Sequence, residues 1–201
     1  MCAVQPIAVV LALLVVQAAL GAADTFVSHE WLERLPQRAW AANELALHAA
    51  RSTLYASIFA GLAWLEWHGA WSWLVLVVMI LEYAVTTVDS IVEDRTRELS
   101  TLERTNHMLL ALNTGFYTAL YVLQMALAWQ PAPDALVVAR HSLWLSLPLT
   151  AAALSAAAWA VRDGLAARRM HAIAAGAGAV GPPRSIDGAA APLRRAAAER
   201  P

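Results

Sequence analysis

The sequence predicts an all-α integral membrane protein, a polytopic bundle of about five transmembrane helices with its N-terminus outside and its C-terminus cytoplasmic. Three observations lead there. First, 60% of the 201 residues are hydrophobic and only 14% are charged, with a mean hydropathy of +0.52. Soluble domains hold about 45–50% apolar and about 25% charged residues. Second, five stretches approach the roughly 20 apolar residues that span a bilayer as helix. Third, thirteen of the fourteen arginines fall on one side of those stretches, as the positive-inside rule requires of cytoplasmic segments.

The five helices are expected near 4–23, 47–65, 71–88, 107–129 and 143–161. The first lacks a positive n-region, and Gly21-Ala22-Ala23 is a weak cleavage site, so it reads as a retained helix and not a signal peptide. The second is short unless it extends back through Leu47, Ala49 and Ala50. Arg34, Arg38 and Arg51 follow the first helix; Arg95, Arg97 and Arg104 follow the third; seven more lie in the tail from Arg162 onward. Arg140 alone lies on the other side, between the fourth and fifth helices. Five crossings give this division; four or six break it. The absence of Lys among the basic residues points to a GC-rich bacterial genome, hence the bacterial inner membrane.

Between and beyond the helices the pattern is interfacial. Trp64, Trp67, Trp71, Trp73 and Trp129 fall at the outer ends, where Trp and Tyr form membrane belts. Ser28 to Leu35 reads as a short amphipathic helix on the inner surface, ended by Pro36. Residues 1–170 form the bundle, and 171–201, rich in Ala, Gly, Pro and Arg, form a disordered tail. Arg162, Arg168 and Arg169 suit contact with anionic headgroups, so membrane lipid is the expected partner, with a membrane protein partner also in view. A net charge of −1 gives no reason to expect nucleic-acid binding. A single cysteine, Cys2, excludes an internal disulfide and a cysteine-based metal site.

The acids and histidines are the informative residues. At one residue per 100°, Glu44, His48, Arg51 and Tyr55 form one stripe on the second helix. Glu103, His107, Thr114, Tyr117, Thr118 and Tyr121 form another on the fourth. Glu82, Thr86, Asp89 and Glu93 form a third if the third helix continues past Val88; otherwise Glu93 joins Asp94, Arg95, Arg97 and Glu98 as solvated loop charges. Asp24 closes the first helix, one face with Gln17. Glu82 is the sharpest of these. It lies roughly 10 Å below Asp89, and an ionised group in hydrocarbon costs at least about 2.5–3.5 kcal/mol.

Asp24, Glu44, His48, Glu82, Asp89, Glu103 and His107 thus make a pool of metal ligands at the cytoplasmic helix ends, with Tyr55, Tyr117 and Arg51 as outer partners. Four-helix dimetal proteins use about four carboxylates and two histidines, and such oxygen and imidazole donors suit iron or manganese. Both Glu–His pairs here are spaced i, i+4, not the i, i+3 of soluble diiron bundles; either spacing puts both groups on one face. Glu103 has a structural reading beside this one, because Ser100-Thr101-Leu102-Glu103 is a capping box.

The first functional expectation is therefore a metal-dependent oxidoreductase or hydrolase acting on a lipid or other apolar substrate. The alternative is a non-enzymatic membrane subunit or assembly factor in which Glu82 pairs with His or Arg51 to set helix packing. A proton-coupled transporter is the third, weakened by the scarcity of outer-half polar residues and of Gly/Pro-broken helices.

Overall fold

The computed structural model describes residues 6–27, 41–96 and 98–179, and those residues are mostly helical. Helix α1 (Pro6–Ala23) continues through a π-helical turn to Val27. Then come α2 (Ala42–Trp64), strand β1 (Leu65–His68) and α3 (Trp71–Thr96). Helix α4 (Thr101–Gln124) also ends in a π-helical turn, Met125–Trp129, followed by β2 (Ala135–Val138) and α5 (Leu143–Ala179).

Four helical stretches are long and apolar enough to cross a membrane: 6–27, 71–96, 101–129 and 143–175. Helix α2 has 23 residues but carries Glu44, His48 and Arg51 in its first half, which lowers its hydropathy below the others. The bundle is apolar on its outside as well as inside. Leu74, Val77, Ile80, Leu81, Val88 and Ile91 on α3 are all about half exposed, an arrangement that suits lipid and not water. The core runs through Val10, Leu11 and Leu14 of α1, Ile58 and Leu62 of α2, Met79 of α3 and Tyr117 and Tyr121 of α4.

Every element outruns its expected boundary at the polar end. Helix α2 starts five residues earlier than expected, at Ala42, and α3 ends eight later, at Thr96. Helix α4 starts at Thr101, where the Ser100 hydroxyl accepts from the Glu103 N–H at 3.2 Å, the cap that the sequence signalled. Helix α5 continues nine residues into the expected tail, since the run 171–179 is rich in alanine, a strong helix former. Apolar length marks only the lipid-buried part of a helix; its backbone bonds continue past it. The segment Ser28–Leu35 and residues 180–201 lie outside the described residues.

The other end holds a feature the sequence reading missed. Strands β1 and β2 pair antiparallel, Leu65 opposite Val138 and His68 opposite Ala135. Gly69 sits at φ 59, and a Cβ there would run into the side chain and backbone of Asp134, so only glycine fits. Asp134 accepts from the Ala70 N–H at 2.8 Å. The tryptophan belt is also corrected in part. Trp64, Trp71 and Trp73 are exposed, but Trp129 is buried and Trp67 lies over Gly61, donating to its carbonyl at 3.1 Å.

Helix α2 packs mainly on α5 and α1 on α4. On the first seam Ser146 donates to the Ala63 carbonyl at 2.9 Å and Trp64 Nε1 to Thr150 at 2.9 Å. Small residues permit the close approach: a Cβ on Gly164 would lie 3.7 Å from Ala49 Cβ. On the second seam Asn106 donates to the Leu20 carbonyl at 3.2 Å and Asn113 to the Leu13 carbonyl at 2.9 Å. The two asparagines are seven apart, as are the two leucines, so one antiparallel register satisfies both pairs.

Candidate metal centre

The helix ends opposite the ribbon bring together two groups of possible ligands. Asp24, Glu103 and His107 form one, and Glu44, His48 and Glu93 the other; within each, one donor atom per residue lies within 4.8 Å of the rest. Either group could hold a metal ion, whose ligands stand about 3–4 Å from one another when bound. Asp24, Glu44, Glu93 and Glu103 are all 2% exposed or less, and His48 is 5%.

The helices explain the placement. Helices α2 and α4 each supply a carboxylate and a histidine four residues apart, Glu44 with His48 and Glu103 with His107, so each pair shares a face. Helix α1 supplies Asp24 at the start of its π-helical turn, and α3 supplies Glu93 in its last turn. Glu93 joins the groups. Its Oε1 is 3.5 Å from His48 Nε2 and its Oε2 is 3.5 Å from His107 Nδ1. Asp24 Oδ2 lies 3.3 Å from His107 Nε2.

Glu93 was not in the sequence-based pool, and its reading as a solvated loop charge is wrong: it is fully buried on a helix. The signal was its position on the Glu82–Thr86–Asp89–Glu93 stripe, which held only if α3 continued.

Five of the seven expected ligands fall in the two groups: Asp24, Glu44, His48, Glu103 and His107. Asp89 stands beside them. Its Oδ2 lies 3.2 Å from His48 Nε2 and 3.0 Å from Arg51 Nη1, so it couples the arginine to the histidine. Glu82 is in neither group. It accepts from the Thr86 hydroxyl at 2.6 Å, with Tyr55 and Tyr117 as neighbours. Those two tyrosines therefore adjoin Glu82, and Tyr55 also accepts from Gln17 Nε2 at 2.7 Å. Gln17 completes a network by donating to Thr114 at 3.2 Å and accepting from Asn113 at 2.8 Å.

Between these polar layers lies a cavity of about 380 Å³, within the usual range for small-molecule sites. Asp24 and Arg51 line it toward the ligand groups, Gln17, Glu82 and Thr114 line it farther along the helices, and Phe59, Leu110 and several alanines give it apolar walls. No family model matches the chain, and neither a curated protein nor a solved structure matches it significantly.

Proposed function

We propose that the chain is a membrane metalloenzyme with a carboxylate-bridged dimetal centre, of iron or manganese, that acts on an apolar substrate as an oxidoreductase or hydrolase. One observation carries this reading: four helices deliver four carboxylates and two histidines to one place, and the two oxygens of Glu93 face one histidine of each group. That is the donor set of the four-helix dimetal proteins, one carboxylate from each of two helices and a carboxylate–histidine pair from each of the others. Metals held so activate water or exchange electrons.

The chain's own residues have defined tasks in this reading. Glu93, placed between the two groups, would hold metal together with Asp24, Glu44, Glu103, His48 and His107. Asp89, held by Arg51, stands at the same His48 nitrogen that faces Glu93 and adds a further carboxylate there. The cavity gives an apolar substrate access from the bilayer. In the accompanying topology α2 also crosses the bacterial inner membrane, the N-terminus lies outside, and Arg51, Arg95, Arg104 and Arg162 mark the cytoplasmic level.

Elemental analysis of the purified full chain tests this. About two iron or manganese ions per chain are expected, with fewer than one in Glu93→Gln. A protein that binds neither ion on titration with iron(II) and manganese(II) overturns it. A second reading has its own observation. His107–Asp24, His48–Asp89 and Arg51–Asp89 already close as ion pairs within the protein, as a packing network in a non-enzymatic subunit would. In that case chelator leaves the melting temperature unchanged; under the metal reading chelator lowers it.

A further inference from the structure

We infer that the cavity binds a neutral apolar molecule carrying a hydroxyl group, with that hydroxyl seated against Glu82, away from the ligand groups. This rests on the metalloenzyme reading for its sense, since it names the substrate class of the same site, but its test does not involve metal.

Glu82 is 1% exposed and lines the cavity. Thr86 occupies its Oε1 at 2.6 Å. Its Oε2 has no well-placed donor among the described residues, the Tyr55 and Tyr117 hydroxyls standing nearby. A buried oxygen left in that state costs about 1–3 kcal/mol, and a guest hydroxyl removes the cost by donating to it. Tyr55 lines the cavity beside Glu82 and accepts from Gln17, and its O–H, the donor facing Glu82, can turn to donate to the oxygen of the same guest hydroxyl. A hydroxyl satisfies both partners; an alkane satisfies neither and a ketone only the donor.

The rest of the cavity sets the remaining chemistry. Phe59, Leu110 and the alanines accept an apolar body. A carboxylate head would meet Glu82 and Asp24, while Arg51 is engaged by Asp89 at 3.0 Å. From Gln17 to Asp24 is seven helical residues, roughly 10 Å, so the guest is a compact molecule with its far end toward the ligand groups.

The test is photolabelling of the full chain in lipid nanodiscs with a diazirine-bearing octanol, after chelator treatment. The expected result is label on cavity-lining stretches of α1 and α4, displaced by octanol about ten-fold better than by octane or octylamine, the value of one good hydrogen bond. Glu82→Ala should remove that preference and keep the label. Gly21→Leu should abolish the label, because a Cβ at Gly21 meets nothing within 4 Å and the side chain enters the cavity; Ala152→Phe repeats the block from α5. Label on the lipid-facing side of α3 that neither filling variant removes overturns the proposal. So does equal competition by octane, or stronger competition by octylamine. Loss of metal binding with this labelling intact would fail the metal reading alone.

Discussion

At the ribbon end of the bundle, Tyr121 donates to the Ser72 carbonyl at 2.8 Å, and Gln130 donates to the Gly69 carbonyl and the Ser72 hydroxyl at 2.8 and 2.9 Å. The Gly69 N–H donates to the Trp129 carbonyl at 2.7 Å. Side chains there, Asp134 included, mostly answer backbone groups that a turn leaves over, which is how non-helical backbone survives near a membrane; an ion pair, Glu66–His68 at 3.0 Å, stands beside them. At the opposite end the polar side chains are ionisable and answer one another. Carboxylates from four helices converge on two imidazoles, although a helix end needs only one cap to close. The difference separates a polar layer that the fold requires from one that exceeds what the fold requires. Excess of that kind in a membrane protein marks function.

The comparison breaks most sharply if the ligand end can be emptied without unfolding. His107→Ala removes an imidazole that faces both Asp24 and Glu93. The expected outcome is loss of bound metal by elemental analysis with helical circular dichroism kept. Loss of helix content together with the metal would make the cluster a packing device. Gly69→Val should do the reverse. Forcing a β-branched residue to φ 59 beside Asp134 costs about 1–3 kcal/mol, seen as a lower melting temperature in detergent, while metal content per folded chain stays at the wild-type value.

A smaller effect is expected between the two ends. Asn113→Leu deletes donations to the Leu13 carbonyl and to Gln17 Oε1. Interhelical hydrogen bonds in membranes average about 0.6 kcal/mol with a maximum near about 1.7, so the loss should fall in that range by unfolding titration. A loss of activity far beyond that of stability would instead assign the α1–α4 network to the site.

How much of this was legible follows from which forces act locally. The helices were readable because hydropathy reports the lipid-buried segment directly, and the stripes because 100° per residue is fixed geometry. Asp24, Glu44, His48, Glu103 and His107 came from those two rules. Glu93 was lost because α3 continues through Glu93, Asp94 and Arg95, where hydropathy fails and the tertiary contacts of Glu93 with α2 and α4 decide. Glu82 was overweighted for a related reason: depth in the membrane announces that a group is costly, but not which neighbours relieve it. The ribbon escaped because Leu65-Glu66-Trp67-His68 is too short to show a period, and its partner lies some seventy residues away.

The weakest test lies outside the membrane, at His141, between β2 and α5. Burial lowers the affinity of its imidazole for a proton below the ordinary value, and the nearby charge of Glu66 partly opposes this. The fold therefore favours neutral His141, whereas the unfolded chain takes up a proton at its ordinary pKa of about 6.5. This contribution to stability is complete above that pH and declines as the pH falls through it toward the lower folded value. The melting temperature of the wild type should thus fall more between pH 7.5 and 5.5 than that of His141→Gln, which cannot take up the proton. Because the residue is only partly covered, the difference should be slight. An identical pH dependence in both proteins would show that His141 contributes nothing to the acid sensitivity of the fold.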